Sequence, residues 1–352
     1  MAQVLSYELG SNNFTYNDTF GDIKFKHQQY YLEASFELLD APEEWFYDMS
    51  SGILSLILPD FEVGMCPDSN ASPDILRGRT YDNVIEFTDS SNVIMKDITF
   101  RASNFIANDG NSDLTFDSLI FEFPSSSRRM LKDATKPLHT KMYGDNNAVI
   151  NCSFYGSEGP ALQYNGNNMV VHNSEFVYND WVGQGNLGTV MDKGSGESVF
   201  SQNTLYYNGV AHGLRYTGRG SDFTLNHIEG QCWGKIQQDG ASIQVSTGAQ
   251  NGINISYNWI HDSPKKGIRF DGNGDPLGVH GYAGFNVVWN HDDNREIDAK
   301  GDNHTVVNNV GWDDDESDCT VCVPNSHSGN PMNRNSIVLN NAARKMTGIS
   351  CM

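Results

Sequence analysis

Nothing in this 352-residue chain recurs with the 3.6-residue period of an amphipathic helix over any sustained stretch, so a helical architecture finds no support. No apolar run approaches the roughly 18 residues that cross a bilayer as a helix, and a membrane span is not expected. The opening MAQVLSYELGSN lacks the basic and apolar regions of a secretory leader. The expectation is nonetheless a secreted or extracellular protein, with Met1 standing where a leader was removed.

Positive charge is scarce: Lys and Arg number 23 against 44 Asp and Glu, a formal net charge of −21. That balance argues against nucleic acid and against anionic membranes as partners, because both need a cationic footprint. An acidic polymer would bind only at a local cationic patch, so the positions of Lys and Arg matter more than their sum. Cysteine is sparse too, six in all, too few for a disulfide scaffold at this length. Only Cys319 and Cys322 lie close in sequence. They read as a local disulfide or two free thiols ahead of a zinc site, which would want a second pair or histidines at ligand spacing.

What is abundant is glycine, 34 residues, together with asparagine. Both tolerate left-handed backbone and so suit a fold rich in tight turns. From about residue 92 one phrase recurs: a short apolar strand, Asn or Asp, then another short strand, as in NVIMKDITF, NAVINCSFY, NMVVHNSEF, NISYNWIHD and HTVVNNVGW. The polar residue falls at Asp97, Asp117, Asn151, Asn173, Asn203, Asn226, Asn258, Asn286, Asn308 and Asn340, in steps of 20 to 34 residues. Steps of that size match single coils of a right-handed parallel β-helix, with a column of amides at one corner pairing turn backbone that would otherwise be buried unsatisfied.

A second phrase follows most of these corners and ends in Gly: PALQYNG, GTVMDKG, HGLRYTG, ASIQVSTG, KGIRFDG and REIDAKG. Period two turns Leu162, Leu214, Ile243, Ile268 and Ile297 inward, and likewise Tyr164, Tyr216, Val245, Phe270 and Ala299. The residues between them form two solvent-facing rows. One holds Gln163, Arg215, Gln244, Arg269 and Asp298; the other holds Asn165, Thr217, Ser246, Asp271 and Lys300. GTVMDKG is ambiguous, adding either Asp192 or Lys193. Residues 1–90 read as an N-terminal cap, with a β-hairpin over 39–60, and 91–352 as the solenoid.

Over roughly residues 80–345 these strand phrases and corners resemble the pectin-lyase-like superfamily of right-handed β-helix proteins. The segment LDAPEEWFYDMSSGILSLILPD is similar to the hairpin that leads into the helix in proteins resembling family 141 glycoside hydrolases. The resemblance implies a polysaccharide or oligosaccharide ligand and, in most members of known activity, its cleavage. Tailspikes and adhesins of the same fold keep a non-catalytic glycan-binding or structural role open. No intact lyase signature, such as a tight calcium aspartate cluster on one strand, is present.

For hydrolysis, Asp239 and Asp271 on neighbouring coils would flank a glycosidic bond, one protonating the leaving oxygen and the other acting as base or nucleophile. For β-elimination, Arg215, Arg269 and Lys300 would form the local cationic patch, with arginine neutralising a sugar carboxylate while Lys300 or His304 removes the adjacent proton. Gln244, Asp298 and His261 complete the expected substrate-binding set. Simpler roles compete: Asp before Gly is an ordinary turn residue, Asp271 and Lys300 suit a plain surface ion pair, and His261 and His304 suit turns. Neither chemistry requires a cofactor. The acidic run Asp313, Asp314, Asp315, Glu316 and Asp318 reads as a solvated loop or a calcium ligand set. Trp181, Trp233, Trp259 and Trp289 serve either as stacking platforms for sugar rings or as packing.

Overall fold

The computed structural model describes residues 4–8, 13–17, 32, 34–57, 79, 81, 83–125, 139–181, 188–194, 196–209, 211–216, 220–234, 240–272, 278–292, 295–312, 319–327 and 330–347. The chain divides into two compact units, residues 1–77 with 127–136 and residues 78–126 with 137–352. Among the described residues no helix is long and apolar enough to cross a membrane.

In the first unit, Trp45–Asp48 pairs antiparallel with Ile53–Leu56, the hairpin expected over 39–60. Its turn is fixed by the Asp48 carboxylate, which accepts from the Ser50 N–H at 2.9 Å and from the Ser51 hydroxyl at 2.6 Å. A second antiparallel pair joins Val4–Tyr7 to Phe14–Tyr16.

The second unit is a right-handed parallel β-helix, the hand that parallel crossovers take. Among the described residues its first strand is Ile85–Phe87, and its strands sort into three parallel sheets of ten, ten and eleven, with one antiparallel pair, Ser326–His327 and Asn330–Pro331, apart from them. One coil shows the order. Asn254–Ser256 lies on a leading face, the chain turns at the asparagine corner, Trp259–Ser263 runs along a trailing face, and Lys266–Asp271 lies on a broad face before the chain returns to Tyr282–Gly284.

Alternation builds the core. The two inward rows of the broad face are buried, including Leu162, Tyr164, Leu214, Tyr216, Ile268 and Phe270. On the trailing face Phe100, Phe121, Phe154 and Phe176 stack coil upon coil, ring centroids 5.0, 4.7 and 5.0 Å apart and nearly parallel. Each buried aromatic contributes about 1.5–3 kcal/mol through area removed from water. Glycine closes several broad-face phrases for a steric reason: Gly166 and Gly301 sit at φ +155 and +135, where a Cβ would strike the Gly144 and Gly278 carbonyl oxygens.

The corner corrects the expected amide column. Asn203, Asn226, Asn258 and Asn286 are buried in it as expected, and Asn309 and Asn341 extend it. Each backbone N–H from Asn203 to Asn309 donates to the Oδ1 of the next asparagine at 2.9–3.1 Å. Asp97, Asn151, Asn173, Asn308 and Asn340 instead lie one residue outside it, in left-handed backbone with φ of 48–56°. In Asp117's coil the left-handed residue is Ser118, with φ 57°. Asn and Asp are favoured both at left-handed turn positions and as ladder amides, so residue type alone did not separate the two.

Candidate functional site

The broad face carries the expected rows in strict register. Gln163 pairs with Met191, then Arg215, Gln244, Arg269 and Asp298 follow on successive coils, while Asp271 lies beside Ser246 and Lys300. Met191 therefore takes the position left open in GTVMDKG. Asp192 turns inward opposite Tyr164, where Ser198 Oγ and the Gly194 N–H donate to it at 2.6 and 2.7 Å and burial pushes its carboxyl up to about 6.

These rows do not simply face solvent. Asp298 is fully buried, and Gln244, Arg269 and Lys300 are nearly so. Outward side chains on coils about 4.8 Å apart lie along one another, and long cationic stems cover their neighbours. Arg215 and Asp271 remain partly exposed and form the open edge of the group.

Asp271 is its hub. Arg269 Nη2 donates to Asp271 Oδ1 at 3.0 Å, Gln244 Nε2 donates to Oδ2 at 3.0 Å, and Lys300 Nζ lies 3.8 Å from Oδ1. Lys300 Nζ also lies 3.6 Å from Asp298 Oδ2, which accepts from Arg295 Nη1 at 3.4 Å. Burial pulls the Arg215 guanidinium below its ordinary pKa, and the charge of Asp271 opposes that shift.

Hydrogen-bonding capacity remains unspent. Among the described residues, Arg215 Nε, Gln244 Oε1 and Asp298 Oδ1 are buried without a partner. Buried polar atoms are rarely left so, because each costs about 1–3 kcal/mol.

The other expected residues lie elsewhere. His304 faces the interior: its ring stacks on Phe270 with centroids 5.1 Å apart, Nδ1 accepts the Gly281 N–H at 3.0 Å, and Nε2 lies 3.2 Å from the Lys300 carbonyl. Burial pulls its pKa down to about 4, and its ring nitrogens fix a turn away from the cluster. His261 belongs to the trailing face, outward and in register with Glu229 and Trp289. Asp239 and the acidic run from Asp313 to Asp318 lie outside the described residues. Cys319 and Cys322 form a disulfide.

Two features escaped the sequence. Arg295 precedes the strand Ile297–Lys300 and has no row to place it. Trp312 stacks on Trp289 with centroids 5.0 Å apart, and Trp289 on His261 at 4.1 Å, an aromatic rail across three coils. Its signal was present: His261, Trp289 and Trp312 each stand three residues after a ladder asparagine, Asn258, Asn286 and Asn309. Comparisons of the chain with protein-family models, with curated proteins and with solved structures find no match.

Proposed function

We propose that this protein is a carbohydrate-active enzyme that cleaves glycosidic bonds in a polysaccharide at the broad-face cluster. The observation that carries the reading is the convergence of Arg215, Gln244, Arg269, Asp271, Asp298 and Lys300 with buried hydrogen-bonding groups still unspent. Sugars are recognised by such fixed donors and acceptors. In a hydrolase Asp271, at the exposed edge, is one of the two carboxyls, and Asp298, which shares Lys300 with it, is the described candidate for the other.

Elimination is the second reading, favoured by one observation. Arg269 and Lys300 crowd a single carboxylate, with Arg215 in electrostatic reach, in a chain otherwise strongly acidic. A sugar carboxylate taking that place would be neutralised by the arginines, leaving Lys300 as base. The proposed working compartment is extracellular, in keeping with the Cys319–Cys322 disulfide.

The test is a panel of plant and algal polysaccharides, with reducing ends and near-ultraviolet absorbance recorded together. Hydrolysis yields reducing ends alone, whereas elimination adds an absorbing unsaturated product. Asp271→Asn and Lys300→Ala are each expected to lower kcat/KM by about 100-fold or more. Turnover unchanged in both variants would remove the cluster from the chemistry, and binding without turnover would make the solenoid a glycan-binding protein.

A further inference from the structure

On the trailing face, the strand His227–Glu229 turns Ile228 into the core and presents His227 and Glu229 outward. The next strand, Trp259–Ser263, sets His261 in register with Glu229. Three ligating atoms thereby converge: His227 Nε2 lies 2.9 Å from His261 Nε2 and 3.8 Å from Glu229 Oε2, and His261 Nε2 lies 4.0 Å from that same oxygen. Two nitrogens and an oxygen around a tetrahedral dication, each bonded at about 2.0–2.1 Å, stand roughly 3.3 Å apart. The observed triangle brackets that spacing and needs only sub-ångström side-chain adjustment to close.

A second, independent observation shows that His261 is set up as a ligand. Its Nδ1 lies 2.8 Å from Asp262 Oδ2, and with the Nδ1–H donated to that carboxylate the neutral ring presents its lone pair on Nε2, facing the triangle. Asp262 is itself held by Asn290 Nδ2, and the His261 ring lies flat on Trp289. A carboxylate behind an imidazole is the arrangement that orients metal-bound histidines. The side chains of His261 and Glu229 are 11% and 21% exposed while that of His227 is 44% exposed, so the triangle opens to solvent on one side.

We propose that His227, Glu229 and His261 bind a transition-metal dication of the zinc class, with Asp262 orienting His261 and a solvent molecule completing the shell. Two imidazoles disfavour calcium and magnesium, which take oxygen ligands, and suit zinc and its first-row neighbours. Three protein ligands with an open position are the composition of zinc sites that also bind a further ligand. The site stands on a different sheet from the Asp271 cluster and does not depend on the carbohydrate reading.

The experiment uses tag-free full-length protein stripped with chelator. Zinc is titrated by calorimetry against a competing chelator, and cobalt(II) is added separately to read its visible spectrum. One equivalent is expected to bind, with His227→Gln and His261→Gln each weakening affinity about 100-fold and Asp262→Asn weakening it about 10-fold or more. Asp271→Asn is expected to leave zinc affinity unchanged. His227 is the most exposed of the three, and its replacement is expected to keep the parent circular dichroism and melting temperature. Absence of stoichiometric uptake, or uptake undiminished in the His227→Gln and His261→Gln double variant, overturns the site and leaves an ordinary hydrogen bond between two histidines.

Discussion

Asp180 follows the strand Glu175–Val177 and is 1% exposed, with burial pushing its carboxyl up from 3.8 to about 7. Among the described residues neither of its oxygens has a hydrogen-bond partner. An acid whose pKa rises on folding holds its proton more tightly in the folded chain. Folding is therefore favoured below about pH 4 and loses that contribution as pH climbs towards 7. Asp180→Asn removes the penalty: variant and parent should be similar in stability near pH 4, and the variant should gain by a few kcal/mol by pH 8. Urea unfolding at the two pH values measures the difference, and an equal or lower stability of the variant at pH 8 contradicts this account.

At the scale of the element, the asparagine corner is a fully paired polar column inside an apolar stack. Asn258 accepts the Asn226 N–H at 2.9 Å and donates to the Phe223 carbonyl and to Asn286 Oδ1, both at 2.9 Å. Asn258→Ala strands at least two buried backbone groups and should cost about 3 kcal/mol. Asn308, one position outside the column with φ 56°, does different work by taking left-handed backbone. Asn308→Gly should shift stability by no more than about 0.5 kcal/mol, since glycine adopts that backbone without strain. Chemical denaturation of the two variants separates a ladder residue from a corner residue, and equal losses would deny the distinction.

At the scale of the molecule, a net charge of −21 sets a repulsive field that salt relieves. The melting temperature should rise between low and physiological sodium chloride, and a calorimetric scan that shows a fall would mean that specific ion pairs outweigh the general repulsion. The Asp271 cluster and the His227, Glu229 and His261 triangle stand on separate sheets of the same coils, so the two proposed sites share no residue. The core beneath each is the same inward alternation, so an outward substitution on one face is expected to leave the other intact.

The sequence by itself determined the coil. Period-two alternation fixes which side chains enter the core, the turn chemistry of Asn and Gly fixes where the chain bends, and both act within a few residues. For that reason the broad-face rows from Gln163 to Asp298 were legible, as was the register of Asp271 with Lys300. Tertiary stacking alone decided the rest: that Asp298 and Lys300 are buried, that the His304 ring enters the core, and that His227 meets His261 across 34 residues. Coils of unequal length hide such neighbours in the sequence, because their proximity comes from one strand hydrogen-bonding onto the next and not from their spacing along the chain.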